Sequence, residues 1–218
     1  MTGRALSGPA GRIVLITGGA RSGKSRLAEQ MASARGPDVL YVATAAARDP
    51  EMARRIACHR ERRPPSWRVA ESPSNPAEAL RAARTAPAPP SAVIVDCLTV
   101  LVSNLLLRDL WLTEDDREMD DSLATLLENR GEECLAAVRE MLEEARLGDL
   151  YTLMVTNELG LGLVPEYPAA RVYRDVVGRV NQAVANEADE VWLVCSGIPV
   201  RLKPGPVVSG WPARGSDS

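Results

Sequence analysis

A lysine and a serine, Lys24-Ser25, close the run Gly18-Gly19-Ala20-Arg21-Ser22-Gly23-Lys24-Ser25. Its pattern, G-x-x-x-x-G-K-[ST], belongs to backbone loops that hold phosphates. Glycines let such a loop curl until successive N–H groups face phosphate oxygens. The helix that follows contributes its unpaired N-terminal N–H groups and the positive end of its dipole. In that geometry Lys24 reaches the β- and γ-phosphates, and the Ser25 hydroxyl holds Mg²⁺. Lys24 carries extra weight here because the chain otherwise uses arginine: of its 26 basic residues, Lys24 and Lys203 alone are lysine. By the same token an arginine cluster says less than usual.

Two more residues could join that chemistry. Asp96 ends the apolar run 92–95, about seventy residues beyond the loop. A carboxylate at the carboxyl end of such a strand is the expected second holder of Mg²⁺, and this role is preferred over capping of the next helix. His59 is the chain's one histidine. Its helix would place Arg55, His59 and Arg62 or Arg63 on one face, with Met52 and Ile56 forming an apolar border. On the residues alone, a half-buried, hydrogen-bonded histidine is the preferred reading. The alternative is a neutral imidazole, with an ordinary pKa of about 6.5, attacking phosphorus among phosphate-binding guanidiniums.

The elements that would position these groups alternate. Strands are predicted over 13–17, 39–44, 67–69, 92–96, 150–156 and 191–195. Helices are predicted over 25–34, 50–62, 76–84, 98–107, 123–146 and 168–188. Gly131 is a possible break in the fifth helix. Asp49 and Pro50 open the second helix as N-cap and first residue. The acidic run 114–121 reads as a solvated loop, and 157–166 as a glycine-containing loop after a strand's carboxyl end. Residues 196–199 form a turn, and 200–203 pair back antiparallel. Alternating strands and helices imply an α/β fold: a mostly parallel sheet with helices on both faces and a short antiparallel C-terminal strand. One P-loop nucleotide-binding domain is expected over 12–203, with disordered tails at 1–11 and 204–218.

Composition excludes several classes. With 45% apolar residues among 218, the chain can fill a core. No run approaches a membrane span, and the first eleven residues lack the apolar centre of a signal peptide. Cys58, Cys97, Cys134 and Cys195 are widely spaced, which fits reduced thiols in the cytoplasm rather than a zinc site. A net charge of −3 and few aromatic residues argue against nucleic acid as a partner.

Longer stretches carry a specific resemblance. They are I-T-G-G-A-R-S-G-K-S-R at 16–26, L-Y-V-A-T at 40–44, D-P-E-M-A-R-R-I-x-x-H-R at 49–60 and R-P-x-x-W at 63–67. They continue with V-T-N-E-x-G-x-G-x-V-P-E at 155–166, G-R-V-N-Q at 178–182 and E-V-W-L-V-x-S-G-I at 190–198. From about residue 12 to 203 the chain resembles the bifunctional adenosylcobinamide kinase / adenosylcobinamide-phosphate guanylyltransferase family. The P-loop is generic, whereas the histidine helix together with the 155–166 loop is specific to that family.

The resemblance implies phosphorylation of the aminopropanol hydroxyl of adenosylcobinamide by ATP or GTP. GMP is then transferred from GTP to adenosylcobinamide phosphate through a guanylylated histidine, at the position of His59. It also implies nucleotide contacts at the P-loop, at Ala43, Thr44 and Ala45, at Arg60, Glu61, Arg62 and Arg63, and at Glu71. A RecA-like strand order and a homotrimer, with the His59 helix near a subunit boundary, follow from the same likeness. Glu158 is a candidate general base for the kinase step, with a structural or substrate-orienting role preferred. The rival readings are a P-loop kinase of another small alcohol with a structural His59, a GTP switch and a RecA-like motor. An N-K-x-D guanine motif cannot occur with lysine at 24 and 203 alone, which disfavours the switch. Acidity disfavours the motor.

Overall fold

A computed structural model describes residues 11–45, 54, 63–110 and 121–205. Its strands are β1 (Arg12–Gly18), β2 (Val39–Ala43), β3 (Arg68–Glu71), β4 (Ala92–Asp96), β5 (Tyr151–Val155), β6 (Glu190–Cys195) and β7 (Ile198–Lys203). Its helices are α1 (Lys24–Ser33), α2 (Pro76–Thr85), α3 (Leu98–Leu106), α4 (Asp121–Arg146) and α5 (Pro168–Glu187). The strands form one sheet in the order β3-β2-β4-β5-β1-β6-β7. Every pairing is parallel except that of β6 with β7.

The central strands are apolar at every interior position because both faces are covered. In β1, Ile13 and Leu15 turn to one face, and Val14 and Ile16 to the other. The first face meets Leu80 of α2, Leu98 and Leu101 of α3, Met141 of α4 and Val177 of α5. The second meets Ala28 and Ala32 of α1, together with Trp67. Four described helices therefore cover one face, and α1 covers the other.

Local sequence sets the element ends. Asn75 caps α2 by accepting the Glu78 N–H at 3.3 Å, and Pro76 occupies the first helical position. Pro168 likewise opens α5. Charged side chains fasten the helices at their margins. Glu144 of α4 accepts from Arg81 and Arg84 of α2, each at 2.9 Å. Asp189 accepts the Ile13 N–H and the Arg146 guanidinium, each at 2.8 Å, and so pins the start of β1.

Two expectations are corrected. Gly131 does not break α4, which runs unbroken to Arg146. A Cβ there would lie 3.0 Å from Cγ2 of Val176, so the glycine is a point of close approach between α4 and α5. The terminal hairpin is also tighter than expected. Its turn is Ser196-Gly197, with φ of 50° and 83°, and β7 begins at Ile198. Positive φ at both central residues is what a two-residue hairpin turn demands. Pro199 is tolerated inside β7 because β7 is an edge strand.

The expected helix over 50–62 lies outside the described residues, apart from Arg54, which is helical. So do most of the acidic run 114–121 and all of residues 1–10 and 206–218. No described helix is long and apolar enough to cross a membrane.

Candidate active site

The P-loop leaves the carboxyl end of β1 at the middle of the sheet. Gly18 has φ of 149°, and a Cβ there would meet the Val194 carbonyl oxygen at 2.3 Å, so only glycine fits against β6. Arg21 and Gly23 also take positive φ, 55° and 103°, curling the loop into the start of α1. Gly19 and Ala20 lie exposed at its rim. The Gly197 N–H donates to the Ser22 carbonyl at 2.9 Å, so the β6–β7 turn braces the loop from one side. The Glu158 N–H donates to the Gly18 carbonyl at 3.1 Å and braces it from the other.

Lys24 is buried, and its Nζ bends back over the loop to donate to the Gly19 carbonyl at 2.5 Å. Burial lowers its pKa below the ordinary lysine value, while Cys97 and Asp96 pull the other way. A desolvated ammonium that donates to a loop carbonyl is well placed to exchange that carbonyl for phosphate oxygens. Ser25 follows in the first turn of α1, half-buried.

Asp96 ends β4, half-buried, as the sequence indicates. Its Oδ2 accepts the Tyr41 hydroxyl at 2.7 Å, and its other oxygen takes no hydrogen bond among the described residues. Burial, then the Asp96 charge, push the Tyr41 pKa far upward, so the phenol stays a donor. The Arg63 guanidinium carbon lies 3.3 Å from the centroid of the Tyr41 ring. Arg63 Nε is buried without a partner among the described residues. Arg63, Tyr41 and Asp96 thus form one stack at the carboxyl end of the sheet. Next to them, burial and the Asp96 charge raise the Cys97 thiol to about 11, so it is inert as a nucleophile.

Thr44 is fully buried, and each of its polar atoms has a partner. Its N–H donates to the Asp96 carbonyl, its hydroxyl both donates to and accepts from the Cys97 backbone, and its carbonyl accepts from Asn104. Thr44 is therefore the rivet that joins the ends of β2 and β4. Ala43 and Ala45 flank it, half-buried. Glu71 ends β3, exposed, in register with Ala43, which is in register with Asp96 on its other side. Four strand steps separate β3 from β1, about 19 Å at the usual spacing. The structure thus gathers Gly18–Ser25 in one cluster and Glu71, Ala43, Thr44, Ala45, Arg63 and Asp96 in another. It does not bring Glu71 to the P-loop. His59, Arg60, Glu61 and Arg62 lie outside the described residues.

What joins the two clusters is the end of β5, whose site residues the sequence left unassigned. The Thr156 hydroxyl donates to Asn181 Oδ1 at 2.7 Å, and Asn181 Nδ2 donates to the Asn157 carbonyl at 3.0 Å. The Asn157 N–H and side chain both donate to the Thr99 hydroxyl, while the Tyr173 hydroxyl donates to the Thr99 carbonyl. This buried network sets the 156–158 segment that props up the P-loop. Glu158 Oε2 accepts from Thr17 at 3.4 Å, in keeping with a structural role. The motifs at 155–166 and 178–182 contain Asn157 and Asn181, but only the fold shows that they meet.

Mg²⁺ is commonly held by one or two protein oxygens, with phosphates and waters completing the shell. Ser25 and one oxygen of Asp96 are hard oxygen donors in that number, on neighbouring elements at the same end of the sheet. The donor set fits the ion.

The family model described as cobinamide kinase / cobinamide phosphate guanyltransferase matches residues 14–202. The bifunctional adenosylcobalamin biosynthesis protein CobU of Salmonella typhimurium is 41% identical over 199 residues, covering 88% of this chain and 99% of the relative. The corresponding CobP protein of Pseudomonas aeruginosa is 42% identical over 193 residues, covering 88% and 98%. Among solved structures, the flagellar accessory protein FlaH of Methanocaldococcus jannaschii aligns with a TM-score of 0.42 at 14% identity, over 90% of this chain and 80% of that one. The RadB recombinase aligns with a TM-score of 0.40 at 16% identity, over 85% and 74%. A match running through nearly every described element, at this identity, places the chain among the bifunctional enzymes of the cobinamide kinase / cobinamide phosphate guanyltransferase family.

Proposed function

We propose that both activities of the family run on this one P-loop, in a single domain spanning 12–203. In the kinase step the loop holds the nucleotide's phosphates and presents the γ-phosphate of ATP or GTP to the hydroxyl of adenosylcobinamide. In the transfer step the His59 imidazole attacks the α-phosphate of GTP in line, forming an N–P bond as the bond to pyrophosphate breaks. An oxygen of adenosylcobinamide phosphate then attacks that phosphorus and frees His59, giving adenosylcobinamide-GDP. The covalent stage lets two bulky anions react in turn without meeting.

The residues divide the electrostatic work. Lys24 and the N–H groups of Gly19–Ser25 neutralise charge that grows on the leaving pyrophosphate. Ser25 and Asp96 would hold Mg²⁺, which when bound supplies further positive charge beside the leaving group. Arg60, Arg62 and Arg63, with Glu61, Ala43, Thr44, Ala45 and Glu71, would take the guanosine end. Both clusters stand at the carboxyl ends of the strands, where ligands of open α/β sheets bind, which supports this division. The protein would act in the cytoplasm as a homotrimer.

The observation that carries the reading is the P-loop cradle itself: Lys24 buried in it, with an oxygen of Asp96 at the same sheet edge that takes no hydrogen bond among the described residues. The test is incubation with Mg²⁺ and GTP labelled at the α-phosphate, followed by denaturing separation. Label that survives alkali, is lost in acid and is missing from His59→Ala is the expected result. Absence of label with GTP binding intact would sink the transfer step through His59 and leave a plain P-loop kinase.

A further inference from the structure

The segment after Glu158 is held firmly at both ends yet shows its apolar side chains to solvent. At its start the Glu158 N–H is bonded to the P-loop carbonyl of Gly18. Leu159 packs against the larger core, and the Gly162 N–H closes a turn onto the Leu159 carbonyl at 3.3 Å. At its end the Arg171 guanidinium donates to the carbonyls of Pro165 and Glu166, at 3.1 and 2.6 Å. Between these anchors Leu161 is 82% exposed, Leu163 96% and Val164 68%. Residues 159–165 read L-G-L-G-L-V-P, with no charge. A fastened, uncharged loop that offers three large aliphatic side chains to water is a binding surface rather than a slack connector.

We propose that this loop is the platform on which the corrinoid ring system lies while its hydroxyl, and later its phosphate, reaches the P-loop. The inference rests on the functional reading above and adds to it the surface that takes the acceptor. Continuity with the phosphate site selects the occupant. The acceptor oxygen must come within bonding distance of a nucleotide phosphate, so the macrocycle must rest on protein next to Gly18. The 159–165 loop begins there through its bond to Gly18. A broad ring with apolar faces and a fringe of neutral amides suits side chains without charge and open backbone at Gly160 and Gly162. The platform requires no movement of the P-loop, because the Glu158 bond fixes one to the other.

The experiment is equilibrium dialysis of cobinamide, read by its visible absorbance, against wild type and the double variant Leu161→Ser/Leu163→Ser, with a non-hydrolysable ATP analogue present. Fluorescent-nucleotide binding, thermal midpoint and sedimentation velocity are measured on the same samples. The expected result is cobinamide affinity about tenfold or more weaker in the variant, as for residues at the centre of a binding surface, with nucleotide affinity and midpoint unchanged. Equal cobinamide affinity in the two proteins overturns the platform. So does a parallel loss of nucleotide affinity, which would mean that the loop acts only through the P-loop. A changed sedimentation coefficient at unchanged cobinamide affinity overturns it as well and makes the loop a contact between copies of this chain. Wild type that binds nucleotide but no cobinamide overturns the functional reading, and the platform with it.

Discussion

Tyr41 shows how a residue outside the P-loop can govern a carboxylate at the site. Its hydroxyl holds one oxygen of Asp96, and its ring carries the Arg63 guanidinium. Removing the hydroxyl while keeping the ring leaves the core filled but lets the carboxylate swing. Tyr41→Phe should therefore raise the Mg²⁺ concentration needed for half-maximal nucleotide binding several-fold, with little change in binding at saturating Mg²⁺. A Mg²⁺ titration of fluorescent-nucleotide binding checks this, and an unchanged midpoint would show that Asp96 needs no such support. Only the fold exposes the pair, since Tyr41 and Asp96 are far apart in the chain and meet because β2 and β4 are neighbours. The place of Asp96 at a strand end was legible, because a carboxylate ending an apolar run is a local pattern. Thr44 was legible as a position but not as a rivet, since its partners come from Cys97 and Asn104.

Among the elements, the join between α2 and α4 is made by charge as well as by apolar packing. Burial draws the Glu144 pKa upward, but hydrogen bonds from Arg84 and Arg81 outweigh it and hold the carboxyl below the usual 4.5. A depressed folded pKa means that the bridge's contribution is complete above about pH 4.5 and is lost as pH falls through the lowered value. Urea midpoints measured against pH should thus fall more steeply below about pH 4.5 in wild type than in Glu144→Gln, and parallel slopes would count against the bridge. The strands and helices themselves were readable from apolar runs, caps and prolines, with ends shifted by a residue or two. Two errors share one cause, namely judging a residue without its neighbour. Gly131 reads as a break until Val176 of α5 is seen pressed against it. Pro199 reads as part of a turn until β7 is known to lie at the sheet edge.

For the whole molecule, nucleotide and fold should stabilise each other. The P-loop touches β6, the β6–β7 turn and the segment after β5, so a ligand bound there tightens contacts from both ends of the chain. Saturation at a hundred times Kd stabilises a folded protein by about 2.7 kcal/mol. For a chain of this size that is roughly 5–10 °C in Tm. GTP with Mg²⁺ should give a rise of that order in wild type and none in Lys24→Ala, as read by calorimetry. An equal rise in the variant would place the nucleotide elsewhere. Strand order came through the family resemblance alone, because apolar runs reveal that strands exist but not which of them pair.

The place of β1 has a consequence for the protein's birth on the ribosome. The strand that carries the P-loop is made long before both of its partners, β5 and β6. At ordinary rates of synthesis β1 waits on the order of ten seconds for its first neighbour. Through that interval an apolar strand and its glycine loop are open to proteases, to chaperones and to other nascent chains. Through it the loop also lacks the brace that the Gly197 turn later supplies. The P-loop is thus translated long before the strands that complete its surroundings.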